Sequence, residues 1–407
     1  MITECRACES PNLIDFLDLG KQYLSDFRKD NDKPPQYPLV ATLCMDCKLV
    51  QLRHRIPQSE MYHERYGFKS GVSDSIKKDL DDITVHAYQY VNDPKSWLDI
   101  ACNDGTLLSY VPTDVYRVGV DPVKFLCDEA EKHADLIIND YFEASDYWTF
   151  GKPKFDVITS ISCFYDMPDP KQFVEDVKSV LAPKGVWIIQ QNYLLTTMEL
   201  GAVDNFVHEH LTYFTLLSLE NLIEPLGLEI NEVLVSPVNG GSIRTIVSRK
   251  GTFDVDESVE KLRTRELDFG VRSLQTYKDF AEAVGTELNK LRRLVVDLKE
   301  QGKSICVLGA STRGACIWQA AEIEEFIDYA VERNPAKVGA NFSAVGVPII
   351  SEKEFRKRKP DYAIVGPWFF AEEVLEREAE YIVAGGKIIL PLPAVEVVGV
   401  ENLEDYL

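Results

Sequence analysis

The sequence predicts an α/β protein in which a small metal-binding domain is followed along the chain by two doubly wound parallel sheets. Two blocks of short apolar runs alternate with amphipathic stretches, a pattern typical of buried strands joined by helices. Two C-x-x-C pairs lie within the first 50 residues, in a segment rich in polar and turn residues. A chain of 407 residues is also long for one core, which indicates two or three domains.

The predicted domains are residues 1–72, which contain the cysteine pairs, residues 73–235 and residues 236–407. The first strand series is WLDIA, YRVGVD, DLIIND, FDVITSIS and GVWIIQQ. LEINEVLVSP and SIRTIVSRKG are expected as antiparallel strands around the turn VNGG, and residues 255–301 as one long amphipathic helix. The second strand series is SICVLGAS, IDYAVE, VPII, DYAIVG and GGKIILPLP.

The composition narrows the classes of partner. A net charge of -22 disfavours nucleic acid, because binding to a polyanion requires Lys and Arg, whereas one small phosphorylated ligand needs only a local basic pocket. The start, MITECRACES, lacks the basic and apolar regions of a secretory signal, and no apolar run reaches the roughly 18 residues of a membrane span. We expect a cytoplasmic protein with no membrane partner, either a monomer or a dimer.

Cys5-x-x-Cys8 and Cys44-x-x-Cys47 predict a structural zinc site. Two C-x-x-C pairs offer four soft thiolate ligands in a tetrahedral array, and a reducing compartment disfavours disulfides. A redox pair and unpaired buried thiols are the alternatives. Four sulfur ligands leave no open coordination position, so the metal would stabilise the fold without taking part in chemistry.

A cofactor site is predicted where the first two strands of the first series end. Asp99, Asn103, Asp104 and Gly105 lie at the end of WLDIA and just after it, and Gly105 permits a ligand to approach the backbone closely. Asp121 ends the next strand, where a carboxylate can accept from two ribose hydroxyls. The glycine content is low for a pyrophosphate loop. The pattern therefore favours a nucleoside without phosphates, such as S-adenosylmethionine, over an ordinary strand–helix turn.

The stretch GASTRG at 309–314 is a candidate phosphate site. It follows a predicted strand and opens a predicted helix, so backbone N–H groups and Arg313 could hold a phosphate. A plain tight turn is the alternative.

The stretch DNFVHEHLTYFT at 204–215 contains two of the six histidines. The H-E-H pattern lacks the i, i+4 spacing of a helical metal site, and the cysteines already account for the zinc ligands. We interpret His210 as a general base, because imidazole titrates near neutral pH and a nearby carboxylate can orient it. His208 is interpreted as structural.

The chain resembles the zinc-containing sugar C-methyltransferases over nearly its whole length. The motifs that support the resemblance are, in order, both C-x-x-C pairs, YGFKSG (66–71), LDIACNDGTLL, DMPDP (166–170), HEHLTYFTL (208–216), NGGSIR (239–244), GASTRG, ERNPAKVG (332–339) and GGKIILPLP. The resemblance implies a zinc domain, a central S-adenosylmethionine-binding methyltransferase domain with a Rossmann-like fold, and a C-terminal Rossmann-like domain that helps to hold a nucleotide-linked sugar. It also implies methylation of the carbon next to the ketone of that deoxysugar.

By position, the resemblance implies His210 as the base, Glu209 as its polar neighbour and Tyr66 as a donor near the sugar ketone. The implied substrate contacts are Asn239, Arg244, Ser311, Arg313, Glu332, Lys337 and Trp368. The chain has Val207 where the family often has Tyr, and Asp166 and Asn239 where it commonly has His. Fewer groups then stabilise an enolate, so the alternatives are methyl transfer to oxygen or nitrogen of a related substrate and a non-catalytic nucleotide-sugar-binding protein.

Overall fold

The chain forms two compact units, each assembled from several stretches. The structure is a computed structural model that describes residues 1–24, 27–28, 34–62, 68–144, 154–335, 337–342 and 345–407. Unit 1 comprises Met1–Ile14, Thr42–Thr196 and Glu209–Leu274, and unit 2 comprises Asp15–Ala41, Thr197–His208 and Gln275–Leu407. The three predicted domains, by contrast, are continuous segments.

Strands and helices alternate along most of the chain. The strands are β1 (Leu13–Tyr23), β2 (Phe27–Arg28), β3 (Gln36–Cys44), β4 (Val50–Leu52), β5 (Ser96–Ile100), β6 (Tyr116–Val120), β7 (Leu136–Ile138), β8 (Phe155–Ile161), β9 (Leu181–Asn192), β10 (Thr212–Tyr213), β11 (Leu228–Ser236), β12 (Ser242–Arg249), β13 (Ile305–Leu308), β14 (Tyr329–Glu332), β15 (Asn341–Phe342), β16 (Val347–Ser351), β17 (Tyr362–Val365), β18 (Lys387–Leu390) and β19 (Glu396–Val398). The helices are α1 (Asp74–Tyr90), α2 (Thr106–Tyr110), α3 (Lys124–Ala130), α4 (Pro170–Val180), α5 (Leu194–Glu199), α6 (Leu216–Ile223), α7 (Glu257–Phe269), α8 (Leu274–Glu300), α9 (Thr312–Ala320), α10 (Glu352–Arg358), α11 (Ala371–Arg377) and α12 (Ala379–Val383). Within the described ranges, none of these helices has the length and apolar character needed to span a membrane.

Unit 1 contains a seven-stranded sheet with the order β11-β12-β9-β8-β5-β6-β7. The pairs among β5, β6, β7, β8 and β9 are parallel, and β12 pairs antiparallel with both β9 and β11. Its central strands are the apolar runs of the first series, which are buried because helices cover both faces of such a sheet. All parallel strands end at one edge, so the segments that follow β5, β6 and β8 meet there.

A smaller sheet fixes the segment that contains His210. Its order is β1-β3-β4-β10, and β4 pairs antiparallel with β10, with Gln51 opposite Thr212. The backbone N–H of Leu52 donates to the carbonyl of Leu211 at 2.9 Å. His210 therefore directly precedes a short stretch of backbone whose position is set by the cysteine-bearing part of the chain.

The predicted single helix over residues 255–301 is two helices, α7 and α8. Gly270 caps α7 with a φ of 92°, and its N–H donates to the carbonyls of Glu266 and Leu267. Glycine reaches this left-handed conformation without a steric penalty and is a common helix terminator. The amphipathic pattern continues through the break, which is why periodicity alone predicts one helix.

Unit 2 contains an eight-stranded sheet with the order β19-β18-β17-β13-β14-β16-β15-β2. The five strands from β18 to β16 in this order pair in parallel, and the strands at both ends are antiparallel. Apolar side chains of β13, β17 and β18, including Cys306, Ala363 and Ile388, form the core with the helices that follow them. As predicted, GASTRG follows β13 and opens α9. The α/β fold class is confirmed.

Candidate active site

Four cysteine thiols converge in unit 1. The Sγ atoms of Cys5, Cys8, Cys44 and Cys47 all lie within 4.8 Å of one another. The Cys5–Cys47 and Cys8–Cys44 Sγ distances are 3.5 and 3.6 Å. A zinc ion with four thiolates at about 2.3 Å places neighbouring sulfurs about 3.8 Å apart. The four thiols therefore fit a structural Zn²⁺ whose coordination shell is closed.

A cavity of about 630 Å³ lies at the carboxyl edge of the seven-stranded sheet. Its wall includes Ala101, Asp121 and Ser162, which directly follow β5, β6 and β8. Phe142 and Phe173 contribute aromatic surface. Open parallel sheets bind ligands at this edge, and the volume is in the range of small-molecule sites, roughly 300–1,000 Å³. The cavity is large enough for a nucleoside cofactor.

Asn103 and Asp121 line this cavity and are bonded to each other. The backbone N–H of Asn103 donates to Oδ2 of Asp121 at 3.0 Å, and the N–H of Val123 donates to Oδ1 at 2.8 Å. Burial raises the pKa of the Asp121 carboxyl. Each carboxylate oxygen has a second lone pair, so Asp121 can still accept from hydroxyls of a bound ligand.

Asp99, Asp104 and Gly105 lie close to Asn103 in the chain but do not line the 630 Å³ cavity themselves. Asp99 is 3% exposed, its Oδ1 accepts from the Thr159 hydroxyl at 2.7 Å, and burial raises its pKa to about 7. It lines a small adjoining cavity of about 40 Å³. Gly105 has a φ of 76°, and a Cβ there would lie 2.8 Å from Cα of Ala130. These residues shape the strand–helix turn that presents Asn103.

His210 lies against an aromatic surface in unit 1. Its ring centroid is 4.2 Å from that of Tyr165 and 6.3 Å from that of Tyr213. The N–H of Leu211 donates to the carbonyl of Tyr165 at 2.9 Å, which fixes the backbone beside the imidazole. The side chain of His210 is half-buried. It is therefore held next to the turn that contains Asp166.

Tyr62, Asp166 and Glu209 form a polar cluster beside His210. Tyr62 and Asp166 both line the 630 Å³ cavity, and the Tyr62 hydroxyl is 2.9 Å from Oδ2 of Asp166. Burial, together with repulsion from Glu209, raises the pKa of Asp166 well above its usual range, although the bond to Tyr62 opposes this shift. Burial also raises the pKa of Glu209. The sequence indicated Asp166 only as a departure from a family, and nothing in its spacing indicated Tyr62.

The sequence also indicated His208 as a structural residue and Tyr66 as a donor near the ketone. His208 belongs to unit 2, where it is 5% exposed and its Nε2 is 3.1 Å from the carbonyl of Tyr37, as expected of a structural residue. Tyr66 lies outside the described residues.

Arg244 and Asn239 were both predicted to contact the substrate. Arg244 is 2% exposed, and its nitrogens bond to Asp82 at 2.8 Å, Asp79 at 3.1 Å and Gln190 at 2.8 Å. Each guanidinium nitrogen is therefore used within unit 1, between α1 and the sheet, rather than at a ligand surface. Asn239 has a φ of 57° and lines the 40 Å³ cavity.

Two of the predicted phosphate-binding residues lie at the start of α9 in unit 2. Oγ of Ser311 caps the helix by accepting from the N–H of Gly314 at 3.1 Å. Nε of Arg313 donates to Oδ2 of Asp204 at 2.7 Å, and its guanidinium lies 4.3 Å from the ring centroid of Phe369. The cation is thus held in a fixed direction at the carboxyl edge of the second sheet.

The remaining predicted substrate residues also follow or end strands of this sheet. Nζ of Lys337 donates to the carbonyl of Ala310 at 3.1 Å, lies 3.7 Å from Oε2 of Glu332 and 4.0 Å from the ring centroid of Phe27. Burial lowers the pKa of Lys337. Trp368 is 6% exposed, and its buried indole N–H has no acceptor within the described part of the chain.

Three family models match the chain in succession. A zinc binding domain matches residues 5–62, a methyltransferase domain matches residues 75–233, and a C-methyltransferase C-terminal domain matches residues 237–393. The chain is 27% identical to C-methyltransferase NovU from Streptomyces niveus over 412 aligned residues, which cover 98% of each chain.

Solved methyltransferases resemble part of the chain. The plantazolicin methyltransferase BpumL in complex with SAH is 15% identical, with a TM-score of 0.34, over 42% of this chain and 82% of that one. An S-adenosylmethionine-dependent methyltransferase from Clostridium acetobutylicum is 15% identical, with a TM-score of 0.35, over 44% and 94%. The assignment depends on the successive domain models and the full-length relative. The chain is therefore an S-adenosylmethionine-dependent methyltransferase with a zinc binding domain and a C-methyltransferase C-terminal domain.

Proposed function

We propose that the protein methylates the carbon next to the ketone of a nucleotide-linked deoxysugar, with His210 as the base. The supporting observation is the polar cluster of Tyr62, Asp166 and Glu209, which lies beside His210 and reaches the wall of the 630 Å³ cavity. A general base must lie within reach of the reacting carbon, and His210 packs against Tyr165, which directly precedes Asp166 of the cavity wall.

The cofactor is proposed to occupy the part of the cavity lined by Asn103 and Asp121. Asp121 accepts from the ribose hydroxyls through lone pairs that its two backbone donors leave free. S-adenosylmethionine supplies an electrophilic methyl group on a sulfonium and leaves as a neutral thioether. The described acidic residues of the wall suit this cation, and the turn at Gly105 has the close packing of a strand–helix joint rather than a pyrophosphate loop.

His210 acts in its neutral form. Its imidazole takes the proton from the carbon next to the ketone, and the C–H electron pair becomes an enolate. The enolate carbon would then take the methyl group that bound S-adenosylmethionine supplies, and the cofactor would leave as its neutral thioether. The proton stays on His210 through the step and is then passed to water. The aromatic surface of Tyr165 holds the ring in one orientation through the step.

The nucleotide is proposed to bind at the carboxyl edge of the eight-stranded sheet. The N-terminus of α9 offers backbone N–H groups to a phosphate, and Arg313 adds a positive charge. Ser311, Glu332, Lys337 and Trp368 are the further candidates at this edge.

The direct test supplies the pure protein with S-adenosylmethionine carrying a ¹³C-methyl group and a panel of nucleotide 4-ketosugars. We expect a product heavier by one methyl group in the mass spectrum and a carbon-bound methyl signal by NMR. His210→Ala should lower kcat by two to four orders of magnitude, roughly the contribution of a positioned base. His133→Ala, a half-buried histidine near the end of α3, is the matched control. A methyl signal on oxygen or nitrogen, or cofactor binding without transfer to any ketosugar, would overturn the proposal.

A further inference from the structure

The pair Tyr62–Asp166 has no role in the chemistry described above, although both residues face the cavity. Their side-chain oxygens are 2.9 Å apart. Both side chains are half-buried, and both residues contribute to the wall of the 630 Å³ cavity. A phenol and a carboxyl group in contact at a cavity wall can share protons with each other and with a ligand.

The surroundings of Asp166 favour the neutral carboxylic acid. Its Oδ1 is buried and accepts no hydrogen bond from any described residue. The titratable groups that interact with it are Glu209, which repels a second negative charge, Cys163 and Tyr62. The charged side chain of Arg55 is also on the cavity wall, but it makes no ion pair with Asp166 in the described structure. A buried carboxylate with an unpaired oxygen is costly, whereas a buried carboxylic acid is not.

A neutral Asp166 changes which acceptor the phenol proton of Tyr62 can reach. If Asp166 were ionised, the phenol proton would have to point at Oδ2. A protonated Asp166 can instead donate to the Tyr62 oxygen across the same 2.9 Å contact, so that the phenol proton no longer has to point at Asp166 and can be directed at a ligand in the cavity. The two groups together supply one hydrogen-bond donor to a ligand without placing a charge there.

We propose that Tyr62 donates a hydrogen bond to the enolate oxygen of the substrate and that neutral Asp166 is the positioning residue that turns the phenol toward it. This inference rests on the proposed function, because it assigns the oxyanion donor of that same reaction. Negative charge develops on the ketone oxygen when His210 removes the proton, and a preorganised donor stabilises that charge. No proton changes owner at the pair, so the balance of the methyl transfer is unaltered.

An uncharged donor at this wall favours, as the acceptor, a ketone with an acidic neighbouring C–H, because the ketone oxygen becomes negative during the reaction. A hydrogen bond donated to an alcohol would instead weaken the nucleophilic oxygen.

The test measures enolate formation separately from methyl transfer. The full-length protein is incubated in D₂O with the demethylated cofactor and a nucleotide 4-ketosugar, and deuterium uptake at the carbon next to the ketone is followed by mass spectrometry. Tyr62→Phe should slow uptake by about 10²–10³-fold, roughly the effect of losing one oxyanion donor. Cofactor affinity should be unchanged. Tyr110→Phe, which alters a half-buried tyrosine outside the cavity wall, is the matched control.

Asp166→Asn separates the neutral-acid role from a structural or ionised one. The amide retains a donor for the Tyr62 oxygen, so we expect uptake within about tenfold of the natural protein, whereas Asp166→Ala should resemble Tyr62→Phe. The natural protein should lose activity as pH rises and Asp166 ionises, and the Asn variant should not show this loss. Uptake abolished in Asp166→Asn, or unchanged in Tyr62→Phe, would overturn the inference.

The outcomes also distinguish this inference from the proposed function. If the natural protein gives neither deuterium uptake nor methyl transfer with any ketosugar, the proposed function fails and the pair loses its role with it. If the natural protein is active and Tyr62→Phe matches it, only the inference fails.

Discussion

The carboxyl edges of the two parallel sheets share an architecture but differ in their charged side chains. The described cavity wall in unit 1 has Arg55 against a set of acids, namely Asp121, Asp140, Glu143, Asp166, Asp169 and Asp176. The corresponding edge in unit 2 has Arg313, which pairs with Asp204, and Lys337, which lies 3.7 Å from Glu332, beside the N-terminus of α9. Burial raises the pKa of acids at the first edge and lowers the pKa of Lys337 at the second. One fold class thus has a mostly acidic cavity wall in unit 1 and two cations paired with acids in unit 2, and the residues after each strand make this difference.

Loss of zinc should have the largest effect, and it tests whether unit 1 depends on the metal. We expect Cys44→Ser to abolish stoichiometric zinc and to lower the melting temperature strongly, because structural zinc contributes about 10–16 kcal/mol of apparent binding energy in small domains. Metal analysis and calorimetry measure both quantities. Cys316→Ser, a buried cysteine of unit 2, should retain the metal. A zinc-free Cys44→Ser protein with unchanged melting would contradict a structural role.

The next largest effect should be on ligand affinity, with each variant weakening the ligand of one sheet edge only. Asp121→Asn should weaken cofactor binding by about 10–100-fold, since a hydrogen bond to a charged group contributes about 1.5–3 kcal/mol, and should leave binding of a nucleoside diphosphate unchanged. Arg313→Gln should do the reverse. Calorimetric titration of each variant with both ligands gives the four affinities. If either variant weakens both ligands equally, the assignment of one ligand to each edge is wrong.

A smaller effect should appear in the pH dependence of stability. Burial raises the pKa of Asp99 to about 7, above the ordinary value of about 3.9. A raised acid pKa means that the folded state binds the proton more tightly, so its contribution is fully present below about pH 4 and is lost as pH rises through about 7. Asp99→Asn should flatten the fall in the free energy of unfolding between these limits. Denaturant titrations at several pH values measure it, and an unchanged slope would contradict the buried acid.

The smallest effect concerns the break between α7 and α8. Gly270→Ala should cost about 1 kcal/mol, because alanine is strained at a φ of 92°. This corresponds to a fall in melting temperature of about 2–4 °C for a region of this size. Gly285→Ala, inside α8 where an added Cβ would meet nothing within 4 Å outside the helix backbone, should instead be neutral or stabilising. A stabilised Gly270→Ala would indicate a continuous helix.

The sequence predicted the parts of this molecule that local spacing determines. Paired C-x-x-C motifs specify metal ligands directly, and short apolar runs indicate buried strands. The zinc site, both large sheets and the cluster around Asn103 and Asp121 could therefore be predicted. The hydrogen bond between Tyr62 and Asp166 could not be predicted, because it joins two turns that are distant in sequence. Arg244 could not be distinguished from a ligand-binding arginine by its motif, since its use depends on acids of α1. The break at Gly270 had a visible signal, a glycine within an amphipathic pattern.

The zinc ligands also have a consequence for the chain between them. Cys8 and Cys44 belong to unit 1, whereas Asp15–Ala41 belongs to unit 2, where β2 pairs with β15 through Phe27 and Phe342. A zinc ion bound to Cys8 and Cys44 would therefore link the two ends of this segment, and the middle of the segment forms β2 at the edge of the eight-stranded sheet. Closing this loop lowers the conformational entropy of the unfolded chain. The resulting stabilisation of the folded state includes the pairing of β2 within the loop. A zinc ion at this site would therefore also favour formation of the edge of the eight-stranded sheet, to which none of its four cysteines belongs.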